Sequence, residues 1–133
     1  RISSNVSVFP TEPDANPLAD WMASINKLRS SVSADVMVLP AHNEPFYGLH
    51  QRLDELQRGH EASLSALEQA LSAPKRVVDL FGNLFRREIK PEDSALVSMA
   101  TGEALAHLNW LVHSRRIESK PDADGIAWYG RLT

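Results

Sequence analysis

The sequence predicts an α+β chain that is mainly helical, and three observations carry that expectation. Leu49, Leu53, Leu56, His60, Leu64, Leu67 and Leu71 recur by fours and threes, the spacing of one face of a long helix. Val36-Met37-Val38-Leu39 is a short apolar run closed by Pro40; its length and β-branching are those of a buried strand in a parallel sheet. Near the end, Pro121-Asp122-Ala123-Asp124-Gly125 separates residues 117–120 from 126–129, the pattern of a β-hairpin around a turn-rich loop.

The remaining elements follow in order. Val6 and Val8, within residues 2–9, read as a short edge strand that has no partner in sight. Asn16-Pro17 is a helix start, because Asn caps and Pro fits the first helical position. Leu18, Trp21, Met22, Ile25 and Leu28 give that helix one apolar face, and Ser30, Ser31 and Ser33 end it. A helix followed by a buried strand is half of a βαβ unit, and one strand does not make a stable sheet. Together with a start at Arg1 rather than Met, this gives the expectation that a larger domain is cut open here.

Residues 40–48 hold two prolines and a glycine and read as a loop. The seam helix then runs from Leu49 to about Leu71, with Arg52, Asp54, Glu55, Arg58, Glu61 and Glu68 on its other faces. Beyond Pro74 lie two short helical stretches, 75–80 and 82–87. Pro91-Glu92-Asp93-Ser94 opens a further helix with acid at its dipole-positive end. Gly102 in its interior costs about 1 kcal/mol relative to Ala, which a close helix contact would explain. Three helices followed by a hairpin is the layout of a winged helix.

Composition bounds the function. The chain has 133 residues, 43% of them hydrophobic, enough for an ordinary core. Its formal charge of -3 does not advertise nucleic acid. The balance is -4 over residues 1–72 and +1 over 73–133, so Ser72-Ala73-Pro74 marks a boundary. There is no cysteine, so any metal would need His, Asp or Glu ligands. No apolar run approaches the roughly 20 residues of a membrane span, and no signal peptide is evident; the expected location is cytoplasmic.

His42 is the leading candidate for chemistry, placed in a turn just past the carboxyl end of the expected strand, where open α/β structures build ligand sites. One imidazole does not hold zinc, and Glu44 and Asp35 form no recognised ligand spacing with it. The other histidines read as structural. His50 and His60 lie on the long helix, with His60 replacing a leucine of the seam, and His107 and His113 are six apart rather than four. Trp21, Trp110 and Trp128 read as packing residues, and Arg86-Arg87 and Arg115-Arg116 as solvated surface.

The stretch Val38-Leu39-Pro40-Ala41-His42-Asn43-Glu44-Pro45-Phe46 resembles the last metal-ligand motif of metallo-β-lactamase superfamily hydrolases, an apolar strand, Pro-Gly-His-Gly, then Pro-Phe or a similar pair. Ala41 and Asn43 stand where glycines are common, and Asn tolerates left-handed backbone geometry. Gly48-Leu49-His50-Gln51-Arg52-Leu53 and Gly102-Glu103-Ala104-Leu105-Ala106-His107-Leu108 resemble the tail of a bacterial branch with a winged helix after the hydrolase core. The resemblance implies that residues 1–47 are the end of a metallo-β-lactamase αββα core (helix plus strand), 48–72 a connecting helix and 73–133 a β-lactamase-associated winged helix. It implies that His42 ligates the second metal of a two-metal zinc site in the intact parent, acting on a small-molecule ester, lactone or thioester.

His-x-His-x-Asp-His, the family's main metal motif, is absent. The fragment by itself is therefore expected to be inactive, with no catalytic residue of its own and no metal. The competing reading is a winged helix that binds DNA or protein. No Lys or Arg lies between Ser94 and His113, which argues against DNA. The remaining expectations are no membrane partner and a homodimer formed through helical surfaces.

Overall fold

In the computed structural model, which describes residues 2 and 4–132, the chain is α+β and mainly helical. The elements are α1 (Pro17–Ser31), α2 (Leu49–Ala70), a 3₁₀ turn (Val77–Leu80), α3 (Phe81–Leu84), α4 (Ser94–His113), β1 (Ile117–Pro121) and β2 (Ala127–Arg131). No helix among the described residues is long and apolar enough to cross a membrane.

Local chemistry sets most boundaries. The Asn16 side chain accepts from the Ala19 amide, and Pro17 occupies the first turn of α1. Gly48, with φ +94°, turns the chain into α2 in a left-handed conformation that side-chain-bearing residues rarely adopt. Asp93 caps α4 by accepting from the Leu96 amide at 3.1 Å. In the hairpin, Ile117 pairs with Arg131 and Ser119 with Tyr129 in antiparallel register. Asp122 closes its turn, accepting from the amides of Asp124 and Ile126 and from Trp128 Nε1.

The seam of α2 is buried along its whole length and feeds two apolar clusters. Leu49, Leu53 and Leu56 pack with Ile25 of α1. Leu64, Leu67 and Leu71 join Leu80, Leu108, Leu111, Ile117 and Tyr129. The packing unit of the second half therefore includes the end of α2.

Four expectations are corrected. Residues 36–39 do not form a buried strand in a parallel sheet. Val38 makes one isolated antiparallel bridge to Phe46, while Met37 and Leu39 are 54% and 75% exposed, because no neighbouring strand among the described residues covers them. Val6 and Val8 do not form an edge strand. Their segment is extended, its valines are buried in the second cluster, and Val8 N–H donates to Gly102 O at 3.0 Å (Arg1 and Ser3 lie outside the described residues). Lys75 does not begin a helix; its backbone bonds to Tyr129 in both directions, so helical geometry starts only at Val77. The stretch expected at 82–87 is Phe81–Leu84, and Phe85 is already extended.

Gly102 is explained, though not by a second helix. A Cβ there would lie 3.0 Å from Ser7 Oγ and 3.2 Å from the Val8 carbonyl, so the N-terminal segment rests directly on the backbone of α4. Gly59, mid-way along α2, has nothing within 4 Å of the same position. In urea denaturation, Gly59→Ala should therefore raise stability by about 0.5–1 kcal/mol. Gly102→Val should lower it by about 1–3 kcal/mol through overpacking. Equal effects at the two sites would show that the close approach of residues 7 and 8 is absent.

Candidate functional site

His42 sits on the loop between the two bridge residues. Val38 N–H donates to Phe46 O at 2.8 Å and Phe46 N–H returns to Val38 O at 3.1 Å, which ties the loop's ends together. Asn43 has φ +73°, the left-handed geometry the motif needs at this position. The result presents the His42 ring to solvent. No other described residue engages that ring, whereas the remaining four histidines are all hydrogen-bonded.

The structure does not assemble further ligands around His42. Asp35 is exposed and accepts from the Ser33 hydroxyl, a bond that holds its carboxyl below the usual range. Among the described residues no group of three or more His, Asp or Glu side chains is placed to hold a metal ion. The described residues therefore do not fit a zinc site by themselves. Of the two arginine pairs, Arg116 is committed to Glu68 at 2.8 Å.

A second constellation was hidden in the sequence. His60 and His107 are 47 residues apart, and α2 and α4 bring them face to face, with His60 Nδ1 at 3.0 Å from His107 Nε2. His60 Nε2 lies 2.9 Å from Ser4 Oγ, and His107 Nδ1 lies 2.8 Å from the Glu103 carbonyl oxygen. The carbonyl only accepts, which fixes every proton in the chain. His107 Nδ1–H donates to Glu103 O, His60 Nδ1–H donates to His107 Nε2, and the Ser4 hydroxyl donates to His60 Nε2. The one available signal was a polar residue in a leucine position, since a buried imidazole requires a partner.

Both rings are buried, and a cleft of about 250 Å³ opens beside them, lined by Ser4, Ser63, Leu84, Phe85 and Glu103 among others. Burial, reinforced by the neighbouring His107, pulls His60 down from 6.5 to about 4. Burial also lowers His107, opposed by its bond to the Glu103 carbonyl. The Glu103 carboxyl is pushed up by desolvation.

The folded chain thus holds both rings neutral, while the unfolded chain protonates them at the ordinary value. Stability from the pair is complete above about pH 6.5 and is lost as pH falls towards about 4. The thermal midpoint should decline across that window, and His60→Leu, which restores the seam, should flatten the decline. Asp79 and Asp122 are held below the carboxylate value of 3.8 by Arg76 and Trp128 respectively, so their losses come at lower pH. A midpoint constant from pH 7 to 4.5 would show that the rings are not buried neutral.

A family model describing the metallo-beta-lactamase-like C-terminal domain matches residues 64–132. Among solved structures, a beta-lactamase domain protein from Burkholderia ambifaria is 36% identical over 99% of this chain, with a TM-score of 0.89. A metallo-beta-lactamase family protein from Thermus thermophilus is 27% identical over 99% of this chain, with a TM-score of 0.78. This chain spans 38% of the length of each. No curated protein matches it. With the C-terminal-domain model covering more than half of its length, the chain belongs to the metallo-beta-lactamase-like family.

Proposed function

We propose that this chain is the C-terminal part of a cytoplasmic, metal-dependent hydrolase that acts on a small ester, lactone or thioester, with zinc as the metal. The observation that carries the reading is His42, an exposed imidazole with no partner among the described residues, held on a loop fixed by the Val38–Phe46 bridge and the left-handed Asn43. The exposed apolar residues Met37, Leu39 and Tyr47 flank that loop, as expected of a surface that meets more of a hydrolase core. Residues 1–47 belong to that core, 48–72 connect, and 73–133 form a winged helix. The order α2, Lys75 bridge, α3, α4, β1 and β2 supports the last assignment.

The winged helix acts as a packing domain rather than a reader of DNA. Ala100, Gly102, Ala104, Ala106, His107, Leu108, Asn109 and Leu111 bury α4, the helix a DNA-binding winged helix would place in the major groove. Asn109 donates to the carbonyls of Pro13 and Ala15, so that polar side chain also faces inward.

Metal content tests the hydrolase reading. Residues 1–133 alone should hold no stoichiometric zinc. A longer chain carrying them at its C-terminal end should hold two per chain, and His42→Ala should remove one. Loss of a partner behind a metal ligand costs about 10–100-fold, so loss of the ligand itself should lower kcat/KM by at least about 100-fold. Unchanged metal content in His42→Ala would remove His42 from the site. Submicromolar binding of 1–133 to mixed-sequence duplex DNA, weakening steeply with salt, would favour the DNA-binding winged helix instead.

A further inference from the structure

Among the 20 residues of α4, Glu103 is the one Asp, Glu, Lys or Arg, and it lines the cleft beside His107. A helix with one face on a core and one in water carries charge on its wet face, whereas a helix that is apolar all round is covered all round. The core side of α4 holds Ala100, Ala104, Leu108 and Leu111. Val97, Thr101 and Leu105 step by fours along another stripe and line a groove of about 650 Å³. Asn5, Ser7, Phe9 and Pro10 line it from the N-terminal segment, where Ser7 and Val8 rest on the Gly102 backbone.

The groove carries no charge. In a chain that is 23% charged, a lining of twelve residues would hold about three charges by chance, and this one holds none. It also projects two large apolar side chains, Phe9 at 67% exposure and Met99 at 61%. These are the two requirements of a two-fold contact between identical chains. The same patch meets itself, so a charge on it would meet its like, and each projection must find a recess on that same patch. A partner of different sequence would need the recess alone; a second copy brings the projections too. We propose that this groove is the two-fold interface of a homodimer, with Phe9 and Met99 of each copy seated in the groove of the other.

The interface leaves the His42 loop free. Val36 and Val38, at the base of that loop, pack with Ile25, Leu49 and Leu53. Val8 and Leu105, which line the groove, belong with Leu108 and Leu111. The chain therefore presents His42 from one apolar cluster and pairs through the other.

The experiment is sedimentation velocity of the 133-residue chain over a range of concentrations. Contacts at the small end of the interface range are weak, so Kd should be on the order of 10–100 µM, and the mass should rise from 14.8 kDa towards twice that value across it. Phe9→Glu and Met99→Glu should each raise Kd at least about 10-fold by setting like charges near the two-fold axis. Both side chains are exposed, so the thermal midpoint should not move. Met37→Glu, on the other exposed apolar face, should leave Kd unchanged. If a glutamate variant does not fold, NMR of the unaltered chain decides: the Thr101 and Leu105 amide signals should shift with concentration while that of Leu53 stays. A chain that remains monomeric at the highest concentration, a Met99→Glu dimer as tight as the original, or a dimer broken by Met37→Glu overturns the proposal. So does a longer, monomeric chain whose own preceding sequence protects the Thr101 and Leu105 amides, because that result assigns the groove to the rest of the chain.

Discussion

The fold depends on one helix supplying its apolar face to two cores. The first half of α2 meets α1, and its second half meets α4, the 3₁₀ turn and the hairpin. His60 lies at the handover, with leucines before and after it. A leucine there would satisfy the seam without any further contact. An imidazole needs hydrogen-bond partners once buried, and it takes one from α4 and one from the N-terminal segment. α1 follows the same division, with Leu18 in one cluster, Ile25 in the other and Trp21 and Met22 packed against both.

Where the chain's own chemistry decides an element, that element was legible. Asn16-Pro17, Asp93 and the Asp122 turn each satisfy backbone groups by local side chains, so the boundaries they mark need no tertiary information. The seam spacing translates directly into burial for the same reason. Residues 36–39 show the opposite case. An apolar β-branched run signals burial only if a neighbour covers it, and a single bridge to Phe46 leaves Met37 and Leu39 open. Lys75 was read as helical because nothing local reveals that Tyr129, 54 positions later, takes its backbone.

The site was legible to the same partial degree. Asn43 at a glycine position signalled a left-handed turn, and the backbone adopts it, which places His42 outward. The pairing of His60 with His107 carries no spacing signal, because it is made by two helices crossing rather than by one helix face. His107 and His113 invited comparison as neighbours in sequence. They instead point to separate tasks, one to the Glu103 carbonyl within its own helix and the other to the Asp14 carbonyl before α1.

The bonds from Asn109 to the turn before α1 reach back 96 and 94 residues, and the Val8 amide is likewise held by α4. During synthesis, Val6, Val8 and Leu18 therefore leave the ribosome long before the helix they pack against exists. Contacts of such separation must wait for the loop between them to close, which slows folding. Residues 6–18 are thus made early and secured late, and over that interval their apolar side chains are what a chaperone or a neighbouring nascent chain would meet.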